Sequence, residues 1–407
     1  METVPRVLFA TTGSLGDLNP MLAIGERLLA HRASVTFATH ACYEDACRKN
    51  GFGFRPFGTS DYVHSLQYTR ESLDERSFGA SVEQTTFDDL ELKYAQLLAA
   101  AGDADVLVAP LHVVAAHLVA EKKKIPYIGC ALCLTHIPAP AEPGSAEHKR
   151  LSETAARWHS RLRTFRQAQG LQRRVLPASS PLCDAASVLG VLPSFLLTPV
   201  HLRTPNLEVV GYATHRQSER MVQDAQLRSF CDERTVAFSF GSFADACDPD
   251  HFFTESVFAC RALGLKCVYL SQHVTPAMRA AMAPDVMVRA DVAPGAVFPL
   301  VGAVVHHGGT GTLVAACTHI KPMVIVPFFL DQPMHAARMR ELIGAPQVAA
   351  QDYRRDSAIL ALRHARDQHE SMRSRLGALM AHYQDGAEQG ARVVLSKLIQ
   401  AAAQQGH

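Results

Sequence analysis

Nowhere in this sequence does an apolar run reach the roughly 18 residues of a membrane span, so no helical crossing is expected. Charge of one sign is missing too: 40 Lys+Arg stand against 39 Asp+Glu, a net +1 that gives no reason to expect a nucleic acid partner. The opening residues, METVPRVLFATTG, lack the charged start and apolar stretch of a secretory signal peptide and lead directly into a strand. Cysteines at zinc-like spacing are absent. The ten present lie mostly in apolar contexts (Cys130, Cys133, Cys260, Cys267, Cys317), as reduced core thiols of a cytoplasmic protein would. Cys130 and Cys133 form a C-x-x-C with no second pair, and neither metal nor redox chemistry is expected there. The first strand is followed by Gly13-Ser14-Leu15-Gly16 and not by G-x-G-x-x-G, which argues against a dinucleotide dehydrogenase. A convincing D-x-D is also missing; Asp248-Pro249-Asp250 has the spacing but sits in a proline-containing loop, so no divalent metal is implied.

What is present is alternation. At 407 residues, 48% hydrophobic and 19% charged, the chain suits two well-packed domains. Short apolar runs alternate with helical patterns, the signature of parallel α/β architecture. In the first half strands are expected over 6–11, 34–39, 52–56, 106–109 and 127–131, with helices from about 20, over 43–49 and over 113–122. The stretch 61–90 is polar and irregular, 138–143 is proline-rich, and 213–226 reads as a linker. Strands resume over 235–240, 266–271, 286–289, 303–306 and 323–326, with a helix over 251–263 and a last helix from about 389. Within 149–174 seven arginines (Arg150, Arg157, Arg161, Arg163, Arg166, Arg173, Arg174) interleave with Leu151, Trp158, Leu162 and Phe165. Two readings stay open: an exposed helical face, or an acceptor-side lid making peripheral contact with a membrane surface or an anionic lipid.

The most informative stretch is VVHHGGTGTLVAACTHIKPMVIVPFFLDQ, residues 304–332. A strand runs into His306-His307, a turn with Gly308, Gly309 and Gly311 follows, and an apolar helix begins beside Thr310 and Thr312. Strand, glycine turn and helix N-terminus make a phosphate cradle of free amides and a favourable dipole. His307 can add a hydrogen bond or positive charge. Asp331 and Gln332 come just after the next strand, where open parallel sheets bind ligands. Phosphate on one loop and hydroxyl-binding groups on the next describe a nucleotide sugar. Near the N-terminus, Asp17 follows the first strand and its glycine turn, immediately before a helix; it can take a proton from an attacking hydroxyl or simply cap the helix.

HHGGTGT, followed by PFFLDQP and preceded by GSLGDLNP at 13–20, resembles the UDP-glycosyltransferase superfamily over nearly the whole chain. It looks most like the bacterial natural-product, rhamnolipid and sterol glycosyltransferases. The resemblance implies an α/β GT-B fold of two Rossmann-like domains facing across a cleft. The acceptor domain would be 1–212, the nucleotide-sugar domain 213–388, and a helix over 389–407 would pack back on the first domain. It implies a metal-independent inverting hexosyltransferase without a cofactor, using a UDP- or dTDP-sugar as co-substrate. Asp17 would be the general base, with Gly16 and His112 on the acceptor side. His307, Gly309, Thr310, Gly311 and Thr312 would bind the diphosphate, with Ser242 as a second phosphate contact. Ala293 would meet the base, and Asp331 and Gln332 the sugar. The acceptor would be a hydroxyl of a hydrophobic small molecule or lipid; the oligomeric state stays open.

The chain departs from the family in places. Many relatives have a histidine where Asp17 stands, and Pro110 occupies the place of its orienting aspartate. The usual glycine turn before the last strand is Thr318-His319-Ile320-Lys321-Pro322, a loop expected to be built differently. No aromatic lies in Asp291-Val292-Ala293-Pro294, and Ala315 replaces a ribose-gripping glutamate, which leaves dTDP beside UDP. Two alternatives remain: a nucleotide-sugar epimerase or hydrolase of the same fold, and a non-catalytic partner protein.

Overall fold

The computed structural model describes residues 4–58, 87, 89–137, 144–171, 187–215, 224–241, 244–245, 248–290 and 292–405. Ser242, Asp291, the stretches 61–86 and 138–143, and Arg173 and Arg174 lie outside the described residues. Two compact units are present. The first takes the described residues up to Ala213 and returns for those from Asp385 onward; the second holds the described residues of Thr214–Gln384.

In the first unit the strands are β1 (Arg6–Ala10), β2 (Ser34–Thr39), β3 (Gly53–Pro56), β4 (Val106–Pro110), β5 (Tyr127–Ala131), β6 (Ser187–Gly190) and β7 (Leu207–Val209). All pairings among them are parallel, in the order β3-β2-β1-β4-β5-β6-β7. Strands buried on both faces read as continuous apolar runs, and β1 shows why. Val7 and Phe9 enter one core with Phe37 and the helix Leu15–Ala30. Leu8 and Ala10 enter the other, with the helices Leu90–Ala100 and Val114–Lys123. Trp158, Leu162 and Phe165 of the helix Ala146–Ala168 are buried in that second core. Of its arginines, Arg157, Arg161 and Arg163 are exposed, while Arg166 is buried and reaches both oxygens of Glu121 at 2.8 Å. Arg161 lies 4.3 Å over the Phe87 ring. The basic stretch is therefore partly internal structure rather than a uniformly solvated face.

Chain reversal fixes where a ligand belongs. From β1 the chain steps outward to β2 and β3, then returns to β4 on the other side of β1. The loops after β1 and β4 thus diverge at the C-terminal edge of the sheet, the crevice where such sheets bind ligands. The second unit repeats the device with β8 (Thr235–Ser239), β9 (Lys266–Leu270), β10 (Val286–Arg289), β11 (Ala303–His306) and β12 (Met323–Ile325) in the order β10-β9-β8-β11-β12. Its switch point lies between β8 and β11.

Several expectations are corrected. The first helix begins at Leu15, five residues before the expected start, because Ser14 caps it and Asp17 closes a capping box; Pro20 is inside the helix. Strand β12 ends at Ile325, and the last helix begins at Ala387. β6 and β7, four and three residues long, were not expected at all. The loop before β12 is less unusual than its sequence: Ile320 holds the left-handed conformation, φ +50°, that a glycine would adopt freely. A β-branched residue there is strained; the loop keeps its shape at that cost.

The last helix, Ala387–Gln405, buries Ala391 and Val394 in the core of the first helix. Gly390 makes the approach possible, since a Cβ there would stand 3.0 Å from Ile24 Cδ1. Gly390→Val is expected to cost about 1–3 kcal/mol by overpacking. A urea titration should show a lower midpoint at unchanged slope; an unchanged midpoint would mean the helix contact tolerates the bulk.

Candidate active site

At the first switch point the turn after β1 is held by three elements. His112, after β4, places Nε2 3.0 Å from the Thr12 carbonyl, and Tyr43 donates to the Gly13 carbonyl at 3.3 Å. Ser14 N–H donates to Asp17 Oδ2 at 3.2 Å, and Gly16 N–H to Ser14 Oγ at 3.1 Å. Asp17 is therefore a first-turn residue, partly exposed, rather than one preceding the helix. Gly13 has φ +142°, and a Cβ on it would lie 2.3 Å from Asp17 Oδ2. Only glycine leaves room for the carboxylate in this position.

His112 was expected on the acceptor side, beside Asp17. Both its ring nitrogens face polar partners, and the partners fix the protons. Leu132 N–H donates to His136 Nδ1 at 3.2 Å, so neutral His136 carries its proton on Nε2. That nitrogen lies 3.2 Å from His112 Nδ1, which accepts, leaving His112 Nε2–H to donate to Thr12. Burial and the neighbouring His112 push the His136 imidazole down to about 3, which keeps His136 neutral. His112 is thus committed to holding the turn that carries Asp17.

At the second switch point His307, half-buried, lies between the loops after β8 and β11. Its Nδ1 is 3.2 Å from the Ser239 carbonyl, so Nδ1 carries the proton. A Cβ on Gly241 would come within 2.9 Å of the ring, and one on Gly309 within 2.4 Å of Nε2. The ring fills a slot between two glycines. Burial lowers its affinity for a proton, opposed by the Ser239 carbonyl and by Asp331. In the free protein His307 therefore offers an anchored neutral ring, the hydrogen-bonding one of the two forms considered from sequence; only an arriving anion would favour the charged form.

Gly309 is the N-cap of the helix Thr310–Thr318 and supplies no side-chain cap. The first turn of a helix leaves its leading N–H groups without intrahelical acceptors, so the Thr310, Gly311 and Thr312 amides stand at an anion-ready end. Gly308, at φ +90°, is pinned by two residues: its N–H donates to His306 Nδ1 at 3.1 Å, and its carbonyl lies 2.8 Å from His335 Nδ1. His306 is fully buried and pushed down to about 3 by burial and its histidine neighbours. His335 escaped sequence reading altogether. Asp331 caps the helix Gln332–Ile343 from its αR position without a side-chain capping bond. Gln332 Oε1 accepts the Phe328 N–H at 2.9 Å, which leaves only its NH2 end for a ligand. Ala293 caps the helix Pro294–Val297, and its carbonyl accepts from Ala296 at 3.0 Å. Asp248 caps the helix Pro249–Ala262, and Asp250 accepts from Thr275 Oγ1 at 2.5 Å, so neither carboxylate of the D-x-D spacing is idle.

Two family models match the chain and between them take in both loop clusters. The glycosyltransferase family 28 N-terminal domain matches residues 7–131, and the UDP-glucoronosyl and UDP-glucosyl transferase model matches 184–368. The chain belongs to the UDP-glycosyltransferase superfamily. Among superfamily relatives it is similar to the vancomycin aglycone glucosyltransferase of Amycolatopsis orientalis, 27% identical over 352 residues, covering 83% of this chain and 84% of that one. Its fold is similar to the crystal structure of the glycotransferase of kitacinnamycin (TM-score 0.77, 20% identity, 97% of this chain and 100% of that one). It is also similar to glycosyltransferase VinC in complex with dTDP (TM-score 0.71, 20% identity, 98% and 100%). The two Rossmann-like units are thus those of a GT-B protein. Among the described residues no helix is long and apolar enough to cross a membrane.

Proposed function

We propose that the chain is a cytoplasmic, metal-independent, inverting glycosyltransferase that moves a hexose from a UDP- or dTDP-sugar to a hydroxyl of a hydrophobic small molecule or lipid. The observation that carries the donor half is the His307 ring, wedged between Gly241 and Gly309 beside an uncapped helix N-terminus at the second switch point. A leaving nucleoside diphosphate needs its growing charge met by preorganised donors, and the amides of Thr310, Gly311 and Thr312 are such donors. Asp331 and the NH2 of Gln332 would hold sugar hydroxyls, and the Ala293 loop the base. The dTDP held by VinC and the aglycone named for the vancomycin relative support the donor and acceptor classes. Asp17, facing the first switch point with Gly16 beside it, would take the acceptor's proton as the oxygen bonds to the anomeric carbon. The cysteines among the described residues form no disulfide, and many are buried, which supports the cytoplasmic reading.

Calorimetric titration with UDP and with dTDP, without added metal, tests the donor reading. Micromolar binding of either is expected, and the preference between them selects the sugar series. Folded protein that binds neither would favour the non-catalytic partner.

A further inference from the structure

His335 lies one helical turn beyond Asp331, on the helix Gln332–Ile343, and is fully buried. Its Nδ1 is 2.8 Å from the Gly308 carbonyl and 3.3 Å from Asp331 Oδ2. A carbonyl only accepts, so Nδ1 carries the proton and donates it to Gly308, with the Asp331 carboxylate close to the same nitrogen. Its Nε2 has no hydrogen-bond partner among the described residues and is shielded from solvent. Burying an unsatisfied ring nitrogen is costly, and an aromatic or branched aliphatic side chain would fill the same space without that cost. The polar contact at Nδ1 is what a histidine gives this position.

We propose that His335 is a positioning residue for the donor. Its one N–H is bonded to the turn meant for phosphate and stands 3.3 Å from the carboxylate meant for the sugar, so the ring sets the spacing between Gly308 and Asp331. Gly308 is held at its other end by His306, whose Nδ1 accepts the Gly308 N–H. Without His335 the turn would keep one anchor, and Asp331 would lose the polar ring edge it faces at 3.3 Å. The sugar half of the donor would therefore suffer more than the diphosphate half. This rests on the donor site proposed above.

The test compares two amides of different reach. In His335→Asn the amide NH2 falls where Nδ1 stands; in His335→Gln it falls where Nε2 stands. Calorimetry with UDP, dTDP, UDP-glucose and dTDP-glucose would be run on wild type and both variants, with a thermal melt of each. Expected for His335→Asn is a nucleotide-sugar affinity within about threefold of wild type, set by one retained hydrogen bond. Expected for His335→Gln is a loss of about tenfold or more for the nucleotide sugar and a smaller loss for the bare diphosphate. Equal behaviour of the two variants, or equal losses for diphosphate and nucleotide sugar, would overturn the proposal. Wild-type protein that binds none of the four would instead remove the donor site itself, before any variant is compared.

Discussion

Asp17→Asn is expected to lower sugar transfer by about two to four orders of magnitude, the range a positioned general base contributes, with nucleoside diphosphate affinity unchanged within a few fold. The substitution is nearly isosteric. The amide keeps an oxygen to accept the Ser14 N–H, now at 3.2 Å from Asp17 Oδ2, so the capping box and the first helix should survive. What it removes is a site for the acceptor's proton. A carboxylate with an ordinary value near 4 is a weak base for a free alcohol. It serves when proton transfer is late, after the oxygen has begun to bond and has become acidic. The measurement is turnover with a hydroxyl acceptor alongside a diphosphate titration. If the Asp17→Asn variant retained more than about a tenth of wild-type turnover, a far smaller loss than removing a general base usually causes, the base would lie elsewhere. His112 is a poor substitute, because its Nδ1 accepts from His136 and its Nε2–H is given to Thr12.

Apart from the short β6 and β7, the strands of both sheets were legible because strands buried on both faces need uninterrupted apolar runs, as in Val106–Pro110 and Ala303–His306. The phosphate turn was legible for a related reason: glycines clustered between a strand and a helix have few other uses. Other features were masked by a neighbouring residue or depend on partners distant in sequence. The capping box was present as Ser14 and Asp17, three apart, but Pro20 drew the expected start of the helix toward itself. His136 meets His112 across 24 residues from a different strand's loop, and nothing local marks either as half of a relay. His335 becomes visible only once Asp331 is known to open a helix, since the two then share a face four residues apart. Ile320 hid a left-handed turn because a β-branched side chain is the last that would be expected there. For His136 and His335 the missing information was the tertiary neighbour, not the residue.

Gly309→Ala and His307→Ala should each weaken diphosphate binding, and together they should weaken it no more than His307→Ala alone. The backbone of Gly309, φ −61° and ψ 142°, suits any residue, so alanine brings no conformational strain. Its methyl would lie 2.4 Å from His307 Nε2 and 3.2 Å from Cδ2 and Cε1. The ring has nowhere to retreat: Gly241 closes the other side, and Nδ1 is anchored to the Ser239 carbonyl. Gly309→Ala must therefore displace either the ring or the helix N-terminus, both proposed diphosphate contacts, for a loss of about 10- to 100-fold, or 1.4–2.7 kcal/mol. His307→Ala should cost about tenfold by removing the ring, but it also removes what the new methyl would strike. In that background Gly309→Ala has little left to disturb. Calorimetry on the four proteins gives the coupling directly, and more than about 1 kcal/mol is expected for groups in contact. If the two losses simply multiply, the glycine matters for some reason other than the ring.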